Sequence, residues 1–129
     1  MNIQPEAIAR AGTELAHQQA IFCWAALNYN KYPDLKFMYH IPNGGQRSKI
    51  TGAQLKAAGV RPGVPDIHLP IMCGQYGGLF IELKVKAGKA SPDQDKWKAH
   101  LNANGYYATV CYGWSEAVAV IEAYLKTGK

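Results

Sequence analysis

The sequence predicts an α/β domain in which a mixed β-sheet is flanked by α-helices. The main observation is the order of the local patterns, which runs helix, strand, short helix, strand, strand, helix, strand, helix. The length of 129 residues is typical of one domain with its own hydrophobic core, and a composition of 48% hydrophobic and 18% charged residues is typical of an ordered globular chain. We therefore expect one domain over residues 1–129.

The first half of the chain contains three predicted elements. Residues 5–29 are rich in Ala, Leu, Glu and Gln and start at Pro5, which suits a first helical turn. They predict one long helix that ends before Pro33. Residues 36–41 predict a short strand, the glycine-rich run PNGG predicts a loop, and residues 51–58 predict a short helix.

The second half has clearer signals. Residues 66–69 and 79–86 predict two strands, and the turn between them contains paired glycines. The run SPDQDKWKAHLNANG predicts a helix, because Ser91 suits an N-cap, proline suits the first turn and two aspartates favour the positive helix end. A strand over residues 106–112 and a helix over residues 114–126 complete the pattern.

Charge and cysteine content restrict the classes of function. The net charge is +5, and nine of the fourteen Lys and Arg residues lie between Arg47 and Lys98, which favours an anionic partner. The three cysteines are odd in number and form no CxxC pair, which argues against a disulfide framework or a zinc site. With no leader pattern and no apolar run of membrane-spanning length, we expect a cytoplasmic protein without a membrane partner.

Two predicted strands carry charges that a plain core strand would avoid. Because side chains alternate between the faces of a strand, Glu82 and Lys84 project from the same face, roughly 7 Å apart. If the strands form a hairpin through residues 70–78, Asp66 lies near Glu82. Two carboxylates brought together repel each other, and a divalent cation such as Mg²⁺ removes that conflict.

This combination fits phosphodiester hydrolysis. A metal held by the carboxylates lowers the pKa of a bound water and polarises a phosphoryl oxygen, and a nearby lysine orients the attacking water or stabilises negative charge. Taken alone the pattern is weak, since an acid two residues before a lysine is more often a solvated face with a surface ion pair. The neighbouring motifs decide between the two interpretations.

The run from IPNGGQRSKITGAQLKAAGVRPGVPDIHLP to GGLFIELKVKAGKASPDQDKWKAHLNANG resembles the VRR-NUC family of the PD-(D/E)xK nuclease superfamily. The resemblance covers about residues 39–121 and rests on motifs that occur in order: Asn43-Gly44-Gly45, Gly59-x-x-x-Gly63-Val64-Pro65-Asp66, Glu82-Leu83-Lys84, Ser91-x-x-Gln94 and Gly105. It implies a restriction-endonuclease-like core and a metal-dependent nuclease activity.

The resemblance also implies roles for individual residues. Asp66 and Glu82 would ligate Mg²⁺ or Mn²⁺, the backbone carbonyl of Leu83 would be a further ligand, and Lys84 would be the catalytic lysine.

The family also uses a glutamate on the first helix, often with a glutamine one turn later. Glu14 and Gln18 fit this pattern, since residues four apart share a helix face, so Glu14 is a candidate catalytic and metal-binding residue with Gln18 in support. Glu6 fits less well, because it lies in the first turn without a glutamine partner. An exposed helix glutamate would be the ordinary interpretation of either.

The candidates for contact with nucleic acid are glycines that permit close approach and polar or basic residues around the site. They are Asn43, Gly44, Gly45, Arg47, Lys49, Lys86 and Gln94. A plain turn and solvated surface charges are the competing interpretation. His40 and His68 lack metal-site spacing and are expected to be packed or hydrogen-bonded, whereas His17 and His100 are expected on helix surfaces.

The function predicted from these observations is that of a Mg²⁺- or Mn²⁺-dependent DNA endonuclease. Stand-alone VRR-NUC members of the phage or bacterial type resemble Holliday-junction resolvases and are dimeric, so the resemblance implies a homodimer selective for branched DNA. The alternatives are a nuclease for flaps or single strands, a non-catalytic nucleic-acid-binding module, and a structural subunit that binds an acidic protein.

Overall fold

The computed structural model of the chain describes residues 3–42 and 51–128. Four strands form one mixed sheet in the order β1-β2-β3-β4. Strands β1 and β2, and likewise β2 and β3, pair antiparallel, whereas β3 and β4 pair parallel. The strands are β1 (Tyr39–His40), β2 (Ile67–Leu69), β3 (Leu79–Lys84) and β4 (Tyr107–Tyr112). This mixed sheet with flanking helices confirms the predicted fold class.

Helices surround the sheet. They are α1 (Pro5–Ala9), α2 (Glu14–Leu27), α3 (Gly52–Ala57), α4 (Pro92–Ala103) and α5 (Trp114–Lys126), with a 3₁₀ turn over Pro33–Phe37. Ser91 caps α4 as predicted, since its side chain accepts a hydrogen bond from the backbone N–H of Gln94. Across the described ranges, none of these helices has the length and apolar character needed to cross a membrane.

Two predicted elements of the first half are wrong in extent. The single helix over residues 5–29 is interrupted, because Gly12 adopts a left-handed φ of +77° and Thr13 then caps a new helix by accepting a hydrogen bond from Ala16. The strand predicted over residues 36–41 is reduced to two residues by the 3₁₀ turn that precedes it.

The two faces of the sheet have different environments. On one face Ile81 and Leu83 are fully buried against Ile21 of α2 and Ile121 of α5, which forms the main hydrophobic core. On the opposite face, called here the outer face, α4 packs over β4. The side chains that β3 directs to this outer face are Phe80, Glu82 and Lys84.

The register of β2 and β3 positions the charged residues. Ile67 pairs with Ile81, and one further step along the antiparallel pair brings Asp66 opposite Glu82. Asp66 lies just before β2, so its carboxylate is at the end of the strand rather than within it. The hairpin therefore places both carboxylates at the same level of the outer face.

Gly63 brings the loop before β2 against α4. Its φ is +87°, and a Cβ at this position would lie 2.5 Å from the backbone carbon of Asp93 in the first turn of α4. Only glycine fits this approach without displacing backbone atoms. The loop that leads to Asp66 and the helix turn that carries Gln94 are thus fixed against each other.

Replacing Gly63 by Ala should therefore destabilise the fold more than replacing Gly12. Gly12 also has a left-handed φ but no atom within 4 Å of a Cβ, so Gly12→Ala should cost about 1–2 kcal/mol of backbone strain. Gly63→Ala adds steric overlap with α4, which we expect to cost about 1–3 kcal/mol more. Urea unfolding of both variants measures the difference, and equal losses would contradict the close approach.

Candidate functional site

The carboxyl groups of Asp66 and Glu82 are in contact. With one of the two acids protonated, a hydrogen bond between them raises the pKa of Glu82. Oδ2 of Asp66 also accepts a hydrogen bond from the backbone N–H of Leu83 at 2.8 Å. The hairpin proposed from the sequence thus brings together the two acidic residues on which the predicted chemistry depends. Asp66 is tied directly to the backbone of the strand that carries Glu82.

The backbone of Asp66 is also held in place. Its carbonyl oxygen accepts one hydrogen bond from the N–H of Ile41 at 2.7 Å and another from Nδ1 of His40 at 2.8 Å. Because a carbonyl oxygen only accepts, His40 carries its proton on Nδ1 in this contact. His40 is therefore a hydrogen-bonded histidine that orients Asp66, as the absence of metal-site spacing had indicated.

Glu82 is an almost fully buried carboxylate, with 6% of its surface exposed. One oxygen, Oε2, accepts a hydrogen bond from Nε2 of Gln94 at 2.9 Å and lies 3.6 Å from Nζ of Lys84. The other oxygen, Oε1, is buried, and while both acids are ionised no donor among the described residues reaches it. A buried acceptor in this state is energetically costly, so the protein alone does not complete the environment of Glu82.

This environment raises the pKa of Glu82 from the ordinary 4.5 to about 8. Burial is the largest cause, and the charge of Asp66 together with the hydrogen bond to it acts in the same direction. Glu14 raises the pKa slightly further, whereas Lys84 lowers it. The ammonium of Lys84 does not offset the combined effect of burial and neighbouring carboxylates.

Gln94 is held by the cap of α4. Its Oε1 accepts a hydrogen bond from the backbone N–H of Ser91 at 2.8 Å, which completes a capping box with the Ser91 hydroxyl. With the amide oxygen engaged there, the amide nitrogen is directed at Glu82. The sequence nominated Gln94 for contact with nucleic acid, which stays a prediction, and the structure gives it a positioning contact with Glu82.

Glu14 lies at the first position of α2, beside the sheet residues. Partial burial raises the pKa of its carboxyl, and so does the charge of Asp66, while Lys84 acts in the opposite direction. These interactions show that the N-terminus of α2 faces the same charged cluster. Gln18, one turn further along α2, is half-buried.

His17 was missed by the sequence, which placed it on a helix surface. Its Nδ1 accepts a hydrogen bond from the backbone N–H of Trp114 at 3.0 Å, where α5 begins without a side-chain cap of its own. The only signal available was its spacing of three residues from Glu14, which places both on neighbouring parts of one helix face. The contact ties the turn that carries Glu14 to α5.

Most of the predicted nucleic-acid contacts cannot be placed. Asn43, Gly44, Gly45, Arg47 and Lys49 lie outside the described residues.

Lys86 is described. It is exposed, follows β3 with a left-handed φ of 56°, and lines a cleft of about 490 Å³ together with His17, Tyr112 and Trp114. Because β3 ends two residues earlier at Lys84, the cleft begins where the charged cluster ends.

The site offers part of a donor set for a divalent cation. In residues 3–42 and 51–128, no three Asp, Glu, His or Cys side chains form a complete metal-binding group by themselves. The donor set nevertheless fits a hard cation, because two contacting carboxyl groups, one with an unpartnered buried oxygen, are the ligands such ions prefer. Backbone oxygens and water would have to supply the remaining ligands.

Together, the fold and the site define a class: a mixed-sheet domain that holds a carboxylate pair and a lysine on the outer face of one hairpin. The model of the VRR-NUC domain matches residues 6–114 of the chain. A solved structure described as a VRR_NUC domain protein is 30% identical, with a TM-score of 0.78 and coverage of 91% of this chain and 91% of that chain. A comparison with curated proteins gave no match. The chain belongs to the VRR-NUC family, whose domains are nuclease domains and generally use a divalent metal.

The raised pKa of Glu82 leads to a pH-dependent stability in metal-free buffer. Between pH 4.5 and about 8 the folded chain retains a proton on Glu82 that the unfolded chain has lost. The free energy of unfolding relative to Glu82→Gln should therefore be greatest below pH 4.5 and fall as the pH rises to about 8, by up to about 1.4 kcal/mol per pH unit. Urea unfolding of both proteins with a chelator present measures this difference, and a constant difference across the range would contradict the raised pKa.

Proposed function

We propose that this chain is a Mg²⁺- or Mn²⁺-dependent DNA endonuclease. Membership of the VRR-NUC family supports a nuclease. The observation that carries the finer proposal is the buried Oε1 of Glu82, which lacks a partner while its carboxyl group contacts Asp66. A cation at this position would satisfy the unpartnered oxygen and relieve the repulsion between the two acids.

In this proposal the carboxylates of Asp66 and Glu82 and the backbone carbonyl of Leu83 would hold the metal, and Glu14 would approach from α2 as an auxiliary ligand. A divalent metal bound there would lower the pKa of a bound water and would act as a Lewis acid on a phosphoryl oxygen. The chain contributes the orientation of its ligands, since Asp66 is fixed by three hydrogen bonds and Glu82 by Gln94. Fixed ligands reduce the reorganisation needed when the reaction occurs.

Lys84 is proposed as the catalytic lysine. Its side chain is mostly buried, with 16% exposed, and its Nζ lies 3.6 Å from Oε2 of Glu82 on the face that a phosphate would approach. At this position it stabilises negative charge that develops on the phosphate and orients the attacking water. Partial burial strengthens such an interaction, because less solvent screens it.

Glu14 and Gln18 are proposed to complete the site from α2. Glu14 is close enough to Asp66 and Lys84 for their charges to act on its pKa, and the contact of His17 with α5 keeps this turn in place. A glutamate that approaches from a separate helix fits an auxiliary metal ligand rather than a structural partner. Gln18 would support it from the next turn.

DNA is the proposed substrate, with branched molecules such as Holliday junctions as the preferred form. The nuclease family supports a DNA substrate, and the net charge of +5 supports binding to phosphates. The residues Asn43, Gly44, Gly45, Arg47, Lys49 and Lys86 are proposed to contact the backbone. In a homodimer, two sites at a fixed spacing would meet two strands of a branched molecule.

Lys84→Ala should lower cleavage about 100- to 1,000-fold and leave DNA binding nearly unchanged. The reason is that Lys84 acts on charge developed during the reaction, while phosphate binding is distributed over several basic residues. Cleavage of a panel of four-way junctions, flaps, duplexes and single strands, with Mg²⁺ or with chelator, measures activity, and fluorescence anisotropy in chelator measures binding.

Lys126→Ala is the matched control, since it removes one lysine from the last turn of α5, at the opposite end from the contact with His17. It should cleave like the unmodified protein. Cleavage that persists in chelator would refute the metal-dependent reaction. If Lys84→Ala lost both DNA binding and cleavage, Lys84 would have a structural role.

Gln94→Leu should raise the Mg²⁺ concentration needed for half-maximal cleavage about 10- to 100-fold, because Glu82 loses the donor that orients it. Ser91→Ala is the control, since it removes the capping hydroxyl but keeps the backbone N–H that binds the Gln94 amide oxygen. That variant should lose about 1 kcal/mol of stability and retain the metal requirement. If the Mg²⁺ concentration for half-maximal cleavage rose equally in both variants, the effect would come from loss of the helix cap alone.

A further inference from the structure

A row of aromatic side chains crosses the outer face of the sheet. Tyr39 contacts His68 edge-on at 5.3 Å between ring centroids, His68 stacks on Phe80 at 4.1 Å with nearly parallel planes, and Phe80 contacts Tyr106 edge-on at 5.5 Å. The four residues come from β1, β2, β3 and the residue before β4. We call this set the aromatic row.

The aromatic row lies beside the carboxylate pair. Tyr39 pairs with His68 and His68 with Phe80. Asp66 lies two residues before His68, and Glu82 lies two residues after Phe80. Side chains two apart on a strand share a face and are separated by roughly 7 Å. The aromatic row and the two carboxylates therefore lie next to each other on the outer face.

One end of the aromatic row is open to solvent. α4 packs over β4, at the Tyr106 end, whereas Tyr39 at the β1 end is 47% exposed. An edge-on contact with His68 does not cover both faces of the Tyr39 ring. Phe37, two residues earlier in the chain, is also an exposed aromatic residue, with 66% of its surface accessible.

The row is also fixed in conformation. The Tyr39 hydroxyl and Nδ1 of His68 are hydrogen-bonded at 2.8 Å, and a Cβ on Gly78 would already lie 3.3 Å from Nε2 of His68. A rigid aromatic surface suits stacking against a flat apolar ring.

We propose that the aromatic row is a stacking surface for an unpaired base of the nucleotide next to the cleaved phosphate. The inference rests on the proposed function, because a phosphodiester at the carboxylate pair brings the flanking nucleotide to the adjacent level of the outer face. A base inside a duplex has its faces covered by neighbouring bases, so only an unpaired or displaced base can stack on the protein. The row thus favours substrates with unpaired nucleotides at the cleavage position, as at a branch point or a flap.

The test uses the full chain in chelator, so that binding is observed without cleavage. The probe is a DNA duplex with a single-stranded overhang that carries one fluorescent adenine analogue, moved one position at a time across the junction. Stacking on the row should quench the analogue at one position of the series. An abasic residue at that position should weaken binding, measured by anisotropy, about 5- to 150-fold.

Variants of Tyr39 then show whether the aromatic row causes the quenching and the loss of binding. Tyr39→Ala should weaken binding of the overhang by the same factor. Tyr39→Phe loses the hydrogen bond to His68 but retains the ring, so it should bind much more tightly than Tyr39→Ala. On the abasic probe, Tyr39→Ala and the unmodified protein should bind equally. Leu27→Ala is the control, since Leu27 is also an exposed apolar residue but ends α2 away from the outer face.

The outcomes separate this inference from the proposed function. If the unmodified protein cleaves DNA with Mg²⁺ but Tyr39→Ala and the abasic series change nothing, the stacking surface is refuted and the nuclease stands. If the unmodified protein neither binds nor cleaves any DNA, both are refuted. If Tyr39→Ala leaves DNA binding intact and instead lowers the mass measured by light scattering, the row joins two copies of the chain and the inference is wrong.

Discussion

The structure of this site depends on one constraint, the burial of Glu82 beside a second carboxyl group. A buried carboxylate is unfavourable unless donors or cations surround it. Gln94 and Lys84 provide part of that environment at Oε2, while Oε1 has no partner among the described residues. Folding therefore leaves one buried oxygen unsatisfied, which costs stability, at the position where we propose a metal ligand.

The surrounding elements hold this arrangement from three directions. The antiparallel hairpin sets the level of Asp66 against Glu82, the capped first turn of α4 directs Gln94 at the carboxylate, and α2 brings Glu14 to the edge of the cluster. Gly63 lets the loop before Asp66 lie against the same turn of α4. A substitution that disrupts any of these contacts would therefore change the positions of the carboxylates, even where the substituted residue does not contact them.

Prediction from the sequence succeeded where the signal was local. Alternation along FIELK placed Glu82 and Lys84 on one face, and the run beginning at Ser91 specified its own cap. It failed where local composition was ambiguous. The Ala-rich segment over residues 5–29 satisfied helix propensity throughout, but Gly12 and the cap at Thr13 divide it, because a left-handed glycine and an N-cap end one helix and begin another.

The sequence by itself determined the chemistry available: two acids, a lysine and a glutamine at spacings that strand and helix periodicity convert into shared faces. Tertiary structure alone decided which of these groups touch. The hydrogen bond of Gln94 to Glu82, the capping of α5 by His17 and the aromatic row all join residues from different elements. Such contacts depend on how strands pair and helices dock, and periodicity within one segment carries no information about the distance between segments.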